Sequence, residues 1–105
     1  KNLSGGNQQK VVLAKFLLKK PKVAILVEPT RGIDVGAKIE VYKLINNLAN
    51  NGIGVILVTS EIPEIIGLCD RVMVMHRGKM IEILEKEEIS PERILKAGTG
   101  LIENV

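Results

Sequence analysis

The sequence predicts an α/β fold: parallel strands with flanking helices, closing in a β-hairpin and a short helix. Three observations carry that prediction. Apolar residues make up 46% of the 105 residues, yet there is one Phe, one Tyr and no Trp. A core must therefore be built from Val, Ile, Leu and Ala, which suits buried parallel strands covered by helices. Two short runs rich in β-branched residues, at 23–27 and 53–60, lie on either side of a helical pattern. Strand, helix, strand, short helix, strand in that order implies right-handed parallel crossovers.

The elements follow in order. "NLSGGNQQKVVLAKFLLKK" opens with Ser4, Gly5 and Gly6 and then turns helical. Val12 with Phe16 and Leu13 with Leu17 recur at i, i+4, and Lys19 and Lys20 sit in the last turn, where cations favour the helix dipole. Pro21 ends the helix. Val23 to Val27 is a short continuous apolar run, read as a buried strand. "EPTRGIDVG" is a polar turn region. Over 37–50, Val41, Leu44, Ile45 and Leu48 fall at i, i+3, i+4, i+7, an amphipathic helix stopped by "NNG". "IGVILVTS" is a second strand. "EIPEIIGLCD" suggests a short helix with acids near its start. "RVMVMHRGKMIEIL", at 71–84, reads as two strands joined at Arg77 and Gly78, a hairpin. In "SPERILKAG", Ser90 is an N-cap and Pro91 the first residue of a helix ending near Gly98.

The length suits one small domain or part of a larger one. The chain begins at Lys1 and runs almost at once into a dense motif, so we expect a fragment of a longer protein. Fifteen basic and 12 acidic residues give a net charge of +3, too mild to define a nucleic-acid protein. Lys15, Lys19, Lys20 and Lys22 cluster, but without a pattern of interleaved aromatics, so they read first as a solvated helix end. Cys69 is the lone cysteine, so no intramolecular disulfide can form, which fits a reducing compartment. No apolar stretch approaches the roughly 18–20 residues of a membrane span, and no signal peptide is visible.

Ser4, Gly5 and Gly6 before a helix are first a cap. Bare amides at a helix N-terminus, with a hydroxyl, can also hold a phosphate. In "VAILVEPT" one carboxylate, Glu28, ends an apolar strand, a place suited to charge chemistry. His76, the only histidine, sits by a turn and reads as a surface residue without ligand partners at metal spacing. Glu61, Glu64 and Asp70 read as caps and solvated acids, and Cys69 as a small core residue. Gly52 and Gly54 fail the dinucleotide pattern, because Leu57 stands where a third glycine belongs.

The longer strings say more. "LSGGNQQKVVLAKFL", followed by a strand ending in "EPTRGIDVGAK" and then "TSEIPEIIGLCDRVMVMHRGK", resembles the signature and Walker B region of ABC-transporter ATPases. The resemblance covers nearly the whole chain in order. It is closest to the second, C-terminal ATPase half of the subgroup that imports ribose-, galactose- or xylose-type sugars. It implies an incomplete P-loop NTPase sheet, with residues 1–105 as the C-terminal fragment of one ATPase domain: signature, Walker B, D-loop and switch region.

The resemblance assigns roles residue by residue. Leu3, Ser4, Gly5, Gly6 and Asn7 form the signature loop, which binds the γ-phosphate of ATP held by the opposing half. Glu28 takes the position of the catalytic glutamate that polarises water. Ile33 and Asp34 fall in the D-loop, which crosses between halves. Ser60 falls where many such ATPases place a switch histidine. The implied cofactors are ATP and Mg²⁺ in the intact protein. The implied partners are a second ATPase half or subunit, transmembrane permease subunits and, indirectly, a periplasmic or extracellular sugar-binding protein. No nucleic-acid partner is expected. The implied location is the cytoplasmic face of the plasma membrane, held peripherally.

Three departures from the pattern shape the expected activity. The one Gly-Lys pair, Gly78 and Lys79, has Met73 and Met80 where a P-loop needs Gly and Ser or Thr, and no glutamine loop precedes the signature. Val27 stands where the Walker B aspartate helps hold Mg²⁺, and valine has no oxygen ligand. Ser60 replaces the histidine. The chain alone is therefore expected not to hydrolyse ATP, and a sheet missing its P-loop strand invites self-association. Two alternatives remain: a non-catalytic half that lends its signature loop to a partner, and a signature-bearing ATPase of DNA repair or chromosome architecture.

Overall fold

A computed structural model describes residues 5–99, with side chains from residue 8 onward. It divides into two compact units, the first running to Ser60 and the second starting at Glu61, each with its own two-stranded sheet.

In the first unit, helix α1 (Gly5–Lys19) precedes strand β1 (Val23–Val27). Lys20 takes a left-handed backbone, φ 48°, and its N–H donates to the Phe16 carbonyl, which closes the helix before Pro21. Helix α2 (Val35–Asn50) starts two residues earlier than its apolar spacing suggests, because Asp34 caps it. Asn51 and Gly52, the latter at φ 85°, end it as the "NNG" signal predicts. Strand β2 (Gly54–Val58) pairs with β1 in parallel, Val23 opposite Gly54 through Val27 opposite Val58. Leu13, Ala24, Leu26, Val41, Ile45, Leu48 and Ile53 are buried, α1 packs on α2, and α2 packs on β2.

Burial corrects the reading of β1 as a fully buried strand. Ala24 and Leu26 are covered, but Val23, Ile25 and Val27 are 53%, 61% and 66% exposed. Ile56 and Val58 of β2 share that bare side. The sequence carries the continuous apolar run of a strand covered on both faces. Among the described residues only one face of the sheet has a cover.

The second unit holds helix α3 (Ile62–Leu68), strands β3 (Arg71–His76) and β4 (Lys79–Glu85), a 3₁₀ turn at Lys86–Glu88 and helix α4 (Pro91–Gly98). β3 does not extend the parallel sheet, contrary to the expectation of successive parallel crossovers. It pairs antiparallel with β4, through an irregularity between Val74 and Met75. The reason is local. Arg77 and Gly78 both take left-handed backbones, φ 50° and 78°, and a two-residue turn of this hand matches the twist of an antiparallel pair. Val72, Val74, Leu84, Ile94 and Ala97 make the core, with Ile62, Ile65, Cys69, Ile81 and Ile89 against it. Ser90 caps α4 as expected, its Oγ accepting from the Arg93 N–H at 3.1 Å. His76 is half-buried. Its Nδ1 lies 3.0 Å from the Gly98 carbonyl, which can only accept, so this nitrogen carries the proton.

Glu64 is a second correction. It was expected in solvent and is only 2% exposed. α3 is a short helix whose other residues at Ile62 and Ile65 turn inward, and Glu64 lies between them. The acid also acts on its neighbour. Burial first, then the negative charges of Asp70 and Glu64, push the Cys69 thiol above its ordinary range, against a smaller opposing pull from Lys86.

Candidate functional site

Because β1 and β2 are parallel and in register, their C-terminal ends lie side by side. This is the end of an open α/β sheet where ligands are handled. Glu28 and Ser60, 32 positions apart in sequence, meet there. The Ser60 hydroxyl donates to Glu28 Oε2 at 3.1 Å, and the Ser60 N–H donates to Oε1 at 3.4 Å. Arg31 Nη2 also donates to Oε2, at 3.4 Å. The Glu28 N–H donates to the Val58 carbonyl at 2.7 Å, which carries the ladder one step past the strand.

Glu28 is held in an unusual shape. Its φ is 45°, a left-handed conformation that costs a non-glycine residue about 1–3 kcal/mol and persists where the surroundings over-determine it. Pro29 and Thr30, directly after it, are buried and anchor the turn. The Arg31 N–H returns to the Glu28 carbonyl at 3.1 Å, and Gly32 at φ 78° bends the chain toward Ile33. Asp34 Oδ1 then accepts from the Ala37 N–H at 2.8 Å, so Asp34 serves as the N-cap of α2. A depression of about 290 Å³ lies between this turn and α1, lined by Gln8, Gln9, Val12, Arg31, Gly32 and Ile33.

Of the residues singled out from sequence, the structure thus joins Glu28 to Ser60. It turns Val27 to the bare face of the sheet and employs Asp34 as a cap. Gly5, Gly6 and Asn7 open α1, while Leu3 and Ser4, and with them the expected Ser4 cap, lie outside the described residues. Arg31 is the residue that sequence reasoning missed. Its signal was the spacing Glu28-x-x-Arg31 inside a turn, which brings opposite charges within reach.

Comparison with known proteins places the chain. The family model described as "ABC transporter" matches residues 1–31. The ribose import ATP-binding protein RbsA of Shouchella clausii is 58% identical over 100 residues, 95% of this chain and 20% of its own length. The chain belongs to the ABC-transporter ATP-binding family. A putative ribose/galactose/methyl galactoside import ATP-binding protein of Pseudomonas syringae pv. syringae is 56% identical over 93% of this cassette chain and 19% of its own. Among solved structures, the ADP conformation of an ATP-binding cassette matches with a TM-score of 0.77 at 24% identity, covering 94% of this chain and 41% of the other. The cbiO1 component of a Clostridium perfringens ABC transporter complex matches at 0.73 and 34% identity, covering 94% and 40%. The cassette chain spans about a fifth of the length of the curated relatives it matches.

The donor set does not fit Mg²⁺. Val27 offers only hydrocarbon, and both oxygens of Glu28 are already engaged by Ser60 and Arg31. Among the described residues no three His, Cys, Asp or Glu side chains gather as a metal site. What the arrangement offers is one carboxylate, held at the C-terminal end of the strands by three hydrogen bonds.

Proposed function

We propose that this chain is the signature-to-switch part of the second ATPase half of a carbohydrate importer's ATP-binding subunit. In the intact protein, ATP binding and hydrolysis would drive sugar uptake through permease subunits at the cytoplasmic membrane face. The observation that carries the reading is 58% identity to a ribose import ATP-binding protein across 95% of the chain. Leu3, Ser4, Gly5, Gly6 and Asn7 would present amides and a hydroxyl to a γ-phosphate held by the opposing half. Glu28 would orient water, and Ser60, in the switch position, would hold the Glu28 carboxylate.

One feature favours a narrower version, in which this half lends its signature loop but its own composite site is silent. Val27 supplies no oxygen, and a carboxylate shared by Ser60 and Arg31 has little freedom to accept a proton from water. The purified chain is therefore expected to show no Mg²⁺-dependent ATP turnover above a Glu28→Gln control, by phosphate release. Turnover above that control overturns this reading. In a longer protein carrying a P-loop, Val27→Asp is expected to raise turnover per site; an unchanged rate removes Val27 as the cause of silence.

A further inference from the structure

The outward side of α1 combines bare apolar side chains with unpaired lysines. Leu13, 1% exposed, turns to the core. Val11, Lys15 and Leu18, spaced i, i+4, i+7, occupy the opposite side of the helix. Leu18 is 84% exposed, Val11 45% and the neighbouring Val12 48%. Lys15, Lys19, Lys20 and Lys22 are exposed around them, and among the described residues none of the four is engaged in an ion pair. Residues 1–27 contain six lysines and no acidic residue. Unpaired cations in the last turns of α1 and just beyond it, with a bare leucine among them, match a surface that is anionic outside and apolar beneath. Nucleic acid fits less well, because the one aromatic among these lysines, Phe16, is partly buried and no exposed ring stands beside them to stack on bases.

We propose that this face of α1 docks on an anionic lipid surface, Lys15, Lys19, Lys20 and Lys22 meeting the headgroups and Leu18 entering the acyl boundary. The contact is separate from any docking on permease subunits and does not depend on the ATPase reading. Vesicle flotation of the 105-residue chain tests it, with phosphatidylcholine vesicles against the same vesicles containing phosphatidylglycerol. Binding is expected to the anionic vesicles alone and to weaken with salt. Lys15→Gln with Lys19→Gln is expected to weaken it about 25-fold, at about fivefold per lysine. Leu18→Ser is expected to weaken it roughly tenfold without changing the salt dependence. All these positions are exposed, so each variant is expected to keep its helix, which circular dichroism checks. Equal binding to both vesicles, no binding, indifference to the substitutions, or tighter binding to a DNA duplex in a parallel titration would each overturn the proposal.

Discussion

The two units solve the same problem with different chemistry. Each is a two-stranded sheet packed against helices, and each leaves one sheet face bare. In the second unit the bare side carries Met73, Met75, Met80 and Ile83, about half exposed. An antiparallel pair tolerates water on one face, and its strands are joined by two residues. In the first unit the bare side carries Val23, Ile25, Val27, Ile56 and Val58 on a parallel pair, an arrangement otherwise found covered on both faces. Strand polarity, more than composition, therefore decides which unit is complete in itself. The unit whose bare face lies on a parallel pair is also the one that holds the Glu28–Ser60 contact.

The largest test of this contrast is Leu84→Ala. Leu84 is fully buried in the core of the second unit, so truncation is expected to cost about 2–5 kcal/mol. Hydrogen exchange should then speed up across β3, β4 and α4 while the β1–β2 amides hold. Equal acceleration in both units would break the division. A smaller effect addresses the strained turn. Glu28→Gly is expected to be more stable than Glu28→Ala by about 1 kcal/mol in urea titrations, because only glycine adopts φ 45° freely. Equal stability would mean that the turn relaxes once the carboxylate is gone.

The smallest effect concerns Cys69. Its thiol is raised, so the folded state holds that proton more tightly than the unfolded chain does. The resulting stability is fully present below the ordinary thiol pKa of about 8.5 and is lost as pH rises past it toward the folded value. Alkylation at pH 8 is expected to be slower in the native chain than in urea, and Cys69→Ser should flatten the alkaline decline. A native rate equal to the unfolded one would remove the shift.

Much of this architecture was legible because it is periodic. α2 shows four apolar residues at helical spacing, and the structure adds only the Asp34 cap at its start. The Arg77 and Gly78 turn and the Ser90 and Pro91 helix start announce themselves through residues with narrow backbone preferences. What was hidden depends on rotation and on neighbours. The run from Val23 to Val27 says how apolar a strand is, not how many of its faces find a cover. Glu64 looks like any acid near a helix start until the turn of α3 carries it inward. In the site, Glu28 and Ser60 were each visible at a strand end. Their mutual contact was not, since it exists only through the register of two strands.

That contact also sets an order in time. A hairpin closed by two residues forms in about 1–10 μs. The Glu28–Ser60 tether closes a loop of about thirty residues, whose closure entropy comes before any reward, so it is expected to form later than that hairpin. The carboxylate past the end of β1 is thus expected to find its place late, when the crossover through α2 closes and Ser60 captures it.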